Sequence, residues 1–308
     1  MPPLQRNPAC AEPRLAPSEE KTKEPSDLST QTDQAVDSSA SPEKLAQIAK
    51  TLRRHVITSI GRAGSGHPGG SLSAADIVAC LYFRVLRHDP HNPHWPDRDR
   101  FVLSKGHAAP ILYAALAETG YFPVEELLTL RRLDSRLQGH ATLKATPGVE
   151  MSSGSLGQGL SFGIGIALAG KLDQKDYRVY VLLGDGECEE GQVWEAAMLA
   201  AHLGLDNLVA IVDNNGLQID GTVQEILSLE PLADKWRAFG WDIIEVDGHD
   251  FHQLIAAFEQ AGQKVGKPTV IIAHTIKGKG VSFMEGNLDF HGRAPNAEEL
   301  AQALKELA

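Results

Sequence analysis

The chain has 308 residues, 42% of them hydrophobic, and a formal net charge of −11. A chain of this size can bury a large core, and its acidic charge, without a basic patch, argues against a nucleic-acid partner. No apolar run approaches the length that a membrane span needs, so we expect no membrane segment. The cysteines lie far apart and are three in number, which argues against a disulfide framework and favours a reducing, cytoplasmic location.

Residues 1–40 differ in composition from the rest of the chain. Pro, Ser, Thr, Glu and Gln dominate there, aromatic residues are absent and no apolar period occurs, so we predict a disordered tail. The folded domain is expected to cover 41–308 and to begin with a helix that Ser41 caps, because Pro42 suits the first helical position. A second helix is expected after a cap at Ser73, since an acid at position 76 resembles a capping box.

Hydrophobic periodicity predicts alternating strands and helices in this domain. Short apolar runs predict strands at 100–104, 179–183, 208–212, 241–246 and 269–274. Apolar residues at helical spacing predict helices at 108–119, from 123, from 156, at 190–203, 231–239 and 251–264, and from 296. This alternation is typical of an α/β fold in which a doubly wound, mostly parallel sheet carries helices on both faces.

The stretch 179–221 combines a strand, a helix and a second strand, and therefore predicts one βαβ unit. Parallel strands end at the same edge of a sheet, so Asp185 and Asn215, which follow the two strands, are expected to lie together. With so few protein ligands, a carboxylate and an amide suit Mg²⁺ or Ca²⁺ only when a phosphate supplies further oxygens. The combination indicates a metal-bound diphosphate, whereas either half alone is more typical of an ordinary turn.

Four other patterns in the sequence could suggest a binding site, and each has a structural interpretation. A GxGxxG match at 64–69 lacks the preceding strand that a dinucleotide site needs, so we reject it. The histidines of the 88–97 loop are separated by prolines, which favours a solvated loop over a metal site. Cys188 has no evident base beside it and is interpreted as a small buried filler. Glycines in the helix predicted from 156 indicate a close approach, by a neighbouring element or by a ligand.

Six short segments complete the motif set. They are GHPGG at 66–70, RFVLSKGHA at 100–108, PGVEMSSGSLGQG at 147–159, GDGECEEGQVWEA at 184–196, DNNGLQIDG at 213–221 and FHG at 290–292. Together and in this order they resemble the N-terminal, thiamine diphosphate (ThDP) binding domain of transketolase, over about residues 45–295. Because the chain ends soon afterwards, the resemblance implies the N-terminal subunit of a split transketolase. Its partner would be a C-terminal subunit with the pyrimidine-binding domain, in an α2β2 assembly.

The resemblance also implies ligands for the metal and the cofactor. Asp185 and Asn215 would bind Mg²⁺, or Ca²⁺ or Mn²⁺ in its place, through their side chains, and Leu217 through its carbonyl. The residues implied to contact ThDP are His67, His107, Gly154, Leu156, Gly184, Asp185, Gly186, Glu187, Asn215, Ile219 and His291. Two positions depart from the family pattern, because Lys105 replaces an amide and Ser155 replaces a proline that some members carry.

The catalytic residues that the resemblance implies are His67, His107, His140, His291 and Glu190. Each histidine adjoins a glycine in a loop, where a ligand can reach it, and imidazole exchanges protons near neutral pH. His107 and His291 would contact the diphosphate, His67 and His291 would serve substrate and proton transfers, and His140 would bind the hydroxyl end of the donor. Glu190 would contact the partner chain, although a carboxylate also suits a helix N-terminus. The histidines left without a functional role are His55, His202, His249, His252 and His274.

The implied activity is transfer of a two-carbon ketol unit from a ketose phosphate to an aldose phosphate. The chain alone is expected to be inactive, because the glutamate that activates the aminopyrimidine in this family lies in the partner chain. Three alternatives are a subunit of another ThDP enzyme (a 2-oxo-acid dehydrogenase α subunit or a deoxyxylulose-phosphate synthase fragment), a non-catalytic scaffold of this fold, and a Rossmann dehydrogenase. The segment GECEEG and the histidines favour transketolase over the first. Intact Asp185 and Asn215 argue against the second, and misplaced glycines against the third.

Overall fold

The structure, a computed structural model, describes residues 40–308, so the predicted tail lies outside the described residues except for Ala40. The described helices are α1 Pro42–Ala63, α2 Pro68–Ser73, α3 Ala75–Cys80, α4 Ala109–Glu118, α5 Gln158–Leu172, α6 Gly191–His202, α7 Val223–Leu227, α8 Leu232–Ala238, α9 Phe251–Gly262 and α10 Ala297–Glu306. The described strands are β1 Arg100–Leu103, β2 Val179–Gly184, β3 Leu208–Asn214, β4 Asp242–Asp247 and β5 Thr269–His274. The boundary between tail and domain stays a prediction.

These strands form one sheet in the order β1-β2-β3-β5-β4, and every neighbouring pair is parallel. Parallel neighbours need crossover connections, which the intervening helices supply. β2 is buried along its whole length, and β3 is buried as far as Asp213, which explains their continuous apolar runs. β4 lies at an edge and exposes Glu245 and Asp247, charges that discourage pairing with another chain.

Two hydrophobic clusters lie on opposite faces of the sheet, because alternate side chains of a strand point in opposite directions. Tyr180 and Leu182 of β2 belong to the cluster that α1, α3, α4, α9 and α10 cover. Val179, Val181 and Leu183 belong to the cluster that α5, α6 and α8 cover. The prediction of a doubly wound parallel sheet with helices on both faces is therefore confirmed.

The start of α1 agrees with the sequence, but the start of α2 does not. Ser41 Oγ accepts a hydrogen bond from Lys44 N at 3.3 Å, and Pro42 occupies the first turn of α1. The predicted cap at Ser73 is wrong. The helix α2 begins earlier, at Pro68, where proline suits the first helical position, and Ser73 is its last residue. The buried hydroxyl of Ser73 does not cap a helix but donates to Asp213 Oδ2 at 2.6 Å.

Smaller differences concern two other helix starts. The helix predicted from residue 123 is a 3₁₀ segment, Val124–Thr129. The helix predicted from 156 begins two residues later, because Gly157 adopts a left-handed φ of 81° and interrupts the backbone just before it.

Among residues 40–308, none of the helices combines the length and the apolar character that a membrane span requires. Cys188 is completely buried, and burial raises the pKa of its thiol well above the usual value, as expected of a filler.

Candidate active site

The register between β2 and β3 decides which residues meet at the carboxyl edge of the sheet. Gly184 pairs with Asp213, so the chain leaves the two strands at the same level. The carboxylate of Asp185 then spans the gap between them. Its Oδ1 accepts from Gly186 N at 2.8 Å, and its Oδ2 accepts from Gly216 N at 2.5 Å. The structure thus joins the two halves of the motif that the sequence places thirty residues apart.

Asp185 is a buried acid that a cation would stabilise. Only 2% of the residue is exposed. Burial raises the pKa of its carboxyl to about 6, and the negative charge of Asp213 acts in the same direction. A bound divalent cation would oppose both effects by favouring the ionised form.

Asn215 and Leu217 supply the other oxygen atoms at this edge. Asn215 Oδ1 accepts from Leu217 N at 3.2 Å, and the Leu217 carbonyl accepts from Lys277 Nζ at 2.9 Å. A carbonyl oxygen has a second lone pair, so this bond leaves it one further position. No cluster of three His, Cys, Asp or Glu residues suited to a metal occurs within 40–308. A cation here would depend on one carboxylate together with amide and carbonyl oxygens, a hard donor set that suits Mg²⁺ or Ca²⁺.

The predicted histidines come from four separate segments and gather around one ring. The centroid of His67 lies 5.5 Å from that of His107, 6.2 Å from that of His140 and 5.6 Å from that of His291. The rings of His107 and His291 stack at 5.2 Å. A Cβ added at Gly70 would lie 3.1 Å from His107 Nε2, so this glycine makes room for the cluster.

Burial keeps these imidazoles neutral at pH 7. It lowers the pKa of His67 to about 4 and that of His291 to about 3. It also lowers the pKa of His107 well below its usual value and, together with the charge of Arg131, lowers the pKa of His140. Within the described residues, His67 Nδ1 is buried without a hydrogen-bond partner. A neutral ring with an unused buried nitrogen is suited to bind or relay a proton of a ligand.

Two charged residues at the base of the pocket were not among the predicted site residues, although Lys105 was noted as a departure from the family pattern. Lys105 is 1% exposed, and its ammonium donates to Gly70 O at 3.0 Å and to Asp213 Oδ2. Asp213 also accepts from the hydroxyls of Ser73 and Thr275. Burial opposes ionisation of Asp213, but Lys105 and these donors hold the pKa of its carboxyl below the usual value. The sequence signal that could have identified this pair is a charged residue directly after a predicted buried strand: Lys105 follows the strand predicted at 100–104, and Asp213 follows the one predicted at 208–212.

Lys277 was also missed, although it contributes a cation to the pocket itself. Only 3% of the residue is exposed, and burial lowers the pKa of its ammonium to about 8. Besides the Leu217 carbonyl, Nζ contacts His291 Nδ1 at 2.8 Å. Its position in a glycine-rich loop directly after β5 was the signal, because parallel strands end at the ligand-binding edge.

Glu187, predicted to contact the cofactor, joins three parts of the pocket wall. Its Oε1 accepts from Ser104 Oγ at 2.5 Å and from Gly157 N at 2.9 Å, and its Oε2 accepts from Gly184 N at 3.0 Å. Burial raises the pKa of its carboxyl. Glu187 thus fastens the glycine-rich segment and the end of β1 to the turn after β2.

Three other predicted residues occupy different positions relative to the pocket. Gly154 adopts a φ of 142° and lies beside His140, whose Cγ would be 3.4 Å from an added Cβ. Ile219 lies at the pocket rim with 66% of the residue exposed. Glu190 is at the exposed N-terminus of α6, outside the pocket lining, and packs against Gly157.

These side chains enclose a cavity of about 250 Å³. The structure brings all the predicted ThDP contacts to its wall, together with His140 and Leu217. The additional lining residues are Gly70, Lys105, Gln218 and Lys277. The residues present therefore fit an anionic, metal-assisted ligand: a buried acid with no ion-pair partner among residues 40–308, a lysine inside the cavity and an imidazole nitrogen without a hydrogen-bond partner in the same range.

The fold and site define an α/β protein that holds a phosphorylated cofactor at the carboxyl ends of parallel strands. Residues 44–308 match the family described as "Transketolase, thiamine diphosphate binding domain". The chain is 51% identical over 259 residues to the 6-deoxy-6-sulfo-D-fructose transketolase subunit SqwG of Clostridium sp. (strain MSTE9), covering 84% of this chain and 94% of that one. It is 44% identical to an apulose-4-phosphate transketolase subunit of Phocaeicola vulgatus, covering 86% and 94%.

The crystal structure of transketolase from Campylobacter jejuni is similar to this structure, with a TM-score of 0.81 and 36% sequence identity. The match covers 85% of this chain and 42% of that transketolase, so this chain spans less than half the length of that relative. The chain belongs to the transketolase family, as its N-terminal, ThDP-binding part. The identification of an N-terminal transketolase subunit and of the enzyme class is confirmed.

Proposed function

We propose that this chain is the diphosphate-binding half of a two-chain transketolase that uses ThDP and Mg²⁺. Together with a partner subunit it transfers a two-carbon ketol unit from a ketose donor to an aldose acceptor. The observation that carries the proposal is the convergence of the acid-amide edge and the histidine cluster on one cavity, which also contains a buried lysine. A scaffold of the same fold would need none of these groups, and each one is costly to bury.

The metal would be held by the side chains of Asp185 and Asn215 and by the carbonyl of Leu217. Such a set leaves room for two or three oxygens from a diphosphate, which Mg²⁺ commonly uses in protein sites. Lys277 already donates to the Leu217 carbonyl, so metal and ammonium would share one oxygen. An anion between two cations that close relieves their repulsion. Metal and diphosphate should therefore bind together more tightly than either binds alone.

The diphosphate would be held by Lys277 and by the stacked rings of His107 and His291. Neutral imidazoles donate N–H bonds to phosphate oxygens without repelling the metal. Gly186 offers its backbone at the turn after β2, where a side chain would hinder close approach. When bound, ThDP supplies the carbon nucleophile and stabilises the resulting carbanion.

His67 is the residue best placed to move a proton of the substrate. Its ring centroid lies 5.5 Å from that of His107 and 6.2 Å from that of His140, and its Nδ1 has no partner within the described residues. Burial lowers the pKa of His67 to about 4, so at pH 7 the ring accepts a hydrogen bond from a hydroxyl. We assign His140, on the more open side of the cavity, to the hydroxyl end of the donor.

The partner subunit would cover the surface formed by α5 and α6. These helices lie together, since Gln158 Nε2 donates to Gln192 Oε1 at 2.5 Å. They expose Phe162 by 41%, Met198 by 57% and Leu199 by 48%. Several large apolar groups on one pair of helices are typical of a protein interface. Glu190 at the exposed start of α6 would then face the partner, which agrees with the partner contact that the resemblance implies for it.

The sugar substrates are proposed to carry an anionic group. Two relatives are named for 6-deoxy-6-sulfo-D-fructose and for apulose-4-phosphate, which bear a sulfonate and a phosphate. A sulfonate and a phosphate differ in charge and size. The protein side chains that bind this anionic end of the sugar would therefore decide which donors the enzyme accepts. We place those side chains largely in the partner subunit.

The test is reconstitution with the partner chain, Mg²⁺ and ThDP. We expect ketol transfer from phosphorylated or sulfonated ketoses by the mixture and none by either chain alone, with products identified by mass spectrometry. A mixture in which both chains are folded and associated but transfer no ketol unit would overturn the proposal. Asp185→Ala in this chain serves as the inactive control.

A further inference from the structure

His249, in the loop between β4 and α9, takes part in a buried chain of polar contacts outside the pocket lining. Its Nδ1 lies 2.6 Å from Asp76 Oδ2. The carboxylate of Asp76 is also bound by both guanidinium nitrogens of Arg53, at 2.9 and 2.6 Å. The exposure of the His249, Asp76 and Arg53 side chains is 13%, 7% and 9%. This acid is therefore held in place from two sides.

The second ring nitrogen of His249 fixes the tautomer. Its Nε2 accepts a hydrogen bond from Ile276 N at 2.9 Å. A backbone N–H can only donate, so Nε2 must be the acceptor and the proton must reside on Nδ1, facing Asp76. The arrangement is directional: Arg53 orients the acid, the acid orients the imidazole, and the imidazole holds one particular backbone amide.

The amide that His249 holds belongs to Ile276, the residue directly before Lys277, the lysine inside the cavity. On the other side of Lys277, Gly278 N donates to Gly69 O at 3.0 Å. The lysine is thus suspended between two backbone hydrogen bonds, one to His249 and one to α2. Its stem also has little freedom, because a Cβ added at Gly69 would lie 3.0 Å from Lys277 Cγ.

We propose that His249, supported by Asp76 and Arg53, is a positioning residue that sets the place of the Lys277 ammonium beside Leu217 and His291. The role goes beyond the proposed function, since it concerns the lysine in the free chain and needs neither cofactor nor partner. It assigns a purpose to a histidine that the sequence left without one. The interaction that matters is acceptance at Nε2.

The test measures how readily Lys277 reacts with N-acetoxysuccinimide in the full chain. Acetylation of each lysine is quantified by peptide mass spectrometry, with the exposed Lys267 as the internal reference. His249→Gln keeps an acceptor close to the position of Nε2. His249→Asn keeps a donor towards Asp76 but cannot reach Ile276. His252→Gln, at an exposed histidine of α9, is the matched control.

We expect His249→Asn to raise acetylation of Lys277 about fivefold relative to Lys267. The variant loses the hydrogen bond to Ile276 N, and one net hydrogen bond changes the population of an open conformation of the loop that carries Lys277 by about this factor. His249→Gln and His252→Gln should stay within about twofold of the natural chain, a rescue that a merely structural role would not give. Melting temperatures verify that the variants are folded. Unchanged reactivity in His249→Asn, or equal increases in the Asn and Gln variants, would overturn the proposal. If His249→Asn does not fold, His249→Gln decides. Increased acetylation of Lys277 in the folded Gln variant would count against the proposal, and acetylation equal to that of the natural chain would support it.

Discussion

The ammonium of Lys105 donates directly to the carboxylate of Asp213 under the floor of the pocket, and solvent reaches 1% of the first side chain and none of the second. The pair joins the end of β1 to the end of β3 across β2. It also anchors α2, because Lys105 Nζ donates to Gly70 O and Ser73 Oγ donates to Asp213. The strand ends that carry the site are aligned by the sheet register, and this charge contact joins them further.

Removing Lys105 should therefore destabilise the chain strongly. In Lys105→Met the carboxylate of Asp213 stays buried without its cation, and we expect a loss of about 3 kcal/mol in the free energy of unfolding, measured with urea. The exposed pair of Arg237 and Asp234, with side chains 59% and 66% exposed, provides the control. Arg237→Met should cost less than about 1 kcal/mol. Adding Asp213→Asn to Lys105→Met should recover part of the loss, and equal costs for the two single variants would contradict this account.

Stabilisation by Mg²⁺ should depend on pH through Asp185. Its folded pKa, about 6, is above its ordinary value, so the stability that the protonated acid provides is present at low pH and is lost as pH rises through about 6. A cation compensates the ionised form alone. With inorganic pyrophosphate present, the rise in melting temperature caused by Mg²⁺ should be larger at pH 7.5 than at pH 5.

Asp185→Asn should remove most of this pH dependence, whereas Asp173→Asn, at an exposed acid, should preserve it. A Mg²⁺ effect that is equal at both pH values in the natural chain would contradict the raised pKa of Asp185.

His67 should affect turnover more than cofactor binding. In the reconstituted enzyme, His67→Ala is expected to lower kcat about 10²- to 10⁴-fold, the usual contribution of a group that moves protons. Retention of ThDP should fall far less, because His67 is one of eleven implied ThDP contacts and the diphosphate is assigned to other residues. His252→Ala, at an exposed site, is the control. A loss of ThDP binding that accounts for the whole loss of activity would assign His67 to cofactor binding instead.

Two glycines of α5, two residues apart, should respond in opposite ways to substitution by alanine. A Cβ at Gly163 would lie 2.5 Å from Val181 Cγ2, whereas one at Gly165 meets nothing within 4 Å. Gly163→Ala should destabilise the isolated chain by about 1–3 kcal/mol through overpacking. Gly165→Ala should stabilise it by up to about 1 kcal/mol through helix propensity.

The exposed position of Gly165 also tests the proposed partner surface. If the partner packs closely on α5, Gly165→Ala should weaken association, measured by analytical ultracentrifugation, while the chain itself becomes more stable. Association equal to that of the natural chain would place the interface elsewhere.

The sequence by itself determined the parallel sheet, the order of most of its helices and the place of the acid-amide edge. Strands buried on both faces need continuous apolar runs, and parallel strands must end at one edge, so local patterns carry this information. The histidines came instead from the resemblance to transketolase, with which their position beside loop glycines agrees.

Only the tertiary structure decided which charges meet. Lys105 and Asp213 are 108 residues apart, and His249 reaches Asp76 across 173. Such contacts follow no local period, since they depend on register, on helix placement and on the need to pair every buried polar group. The same need explains the wrong cap at Ser73, whose hydroxyl serves Asp213 instead of a helix N-terminus. Local periodicity therefore located the site, and long-range pairing of buried charges determined its interior.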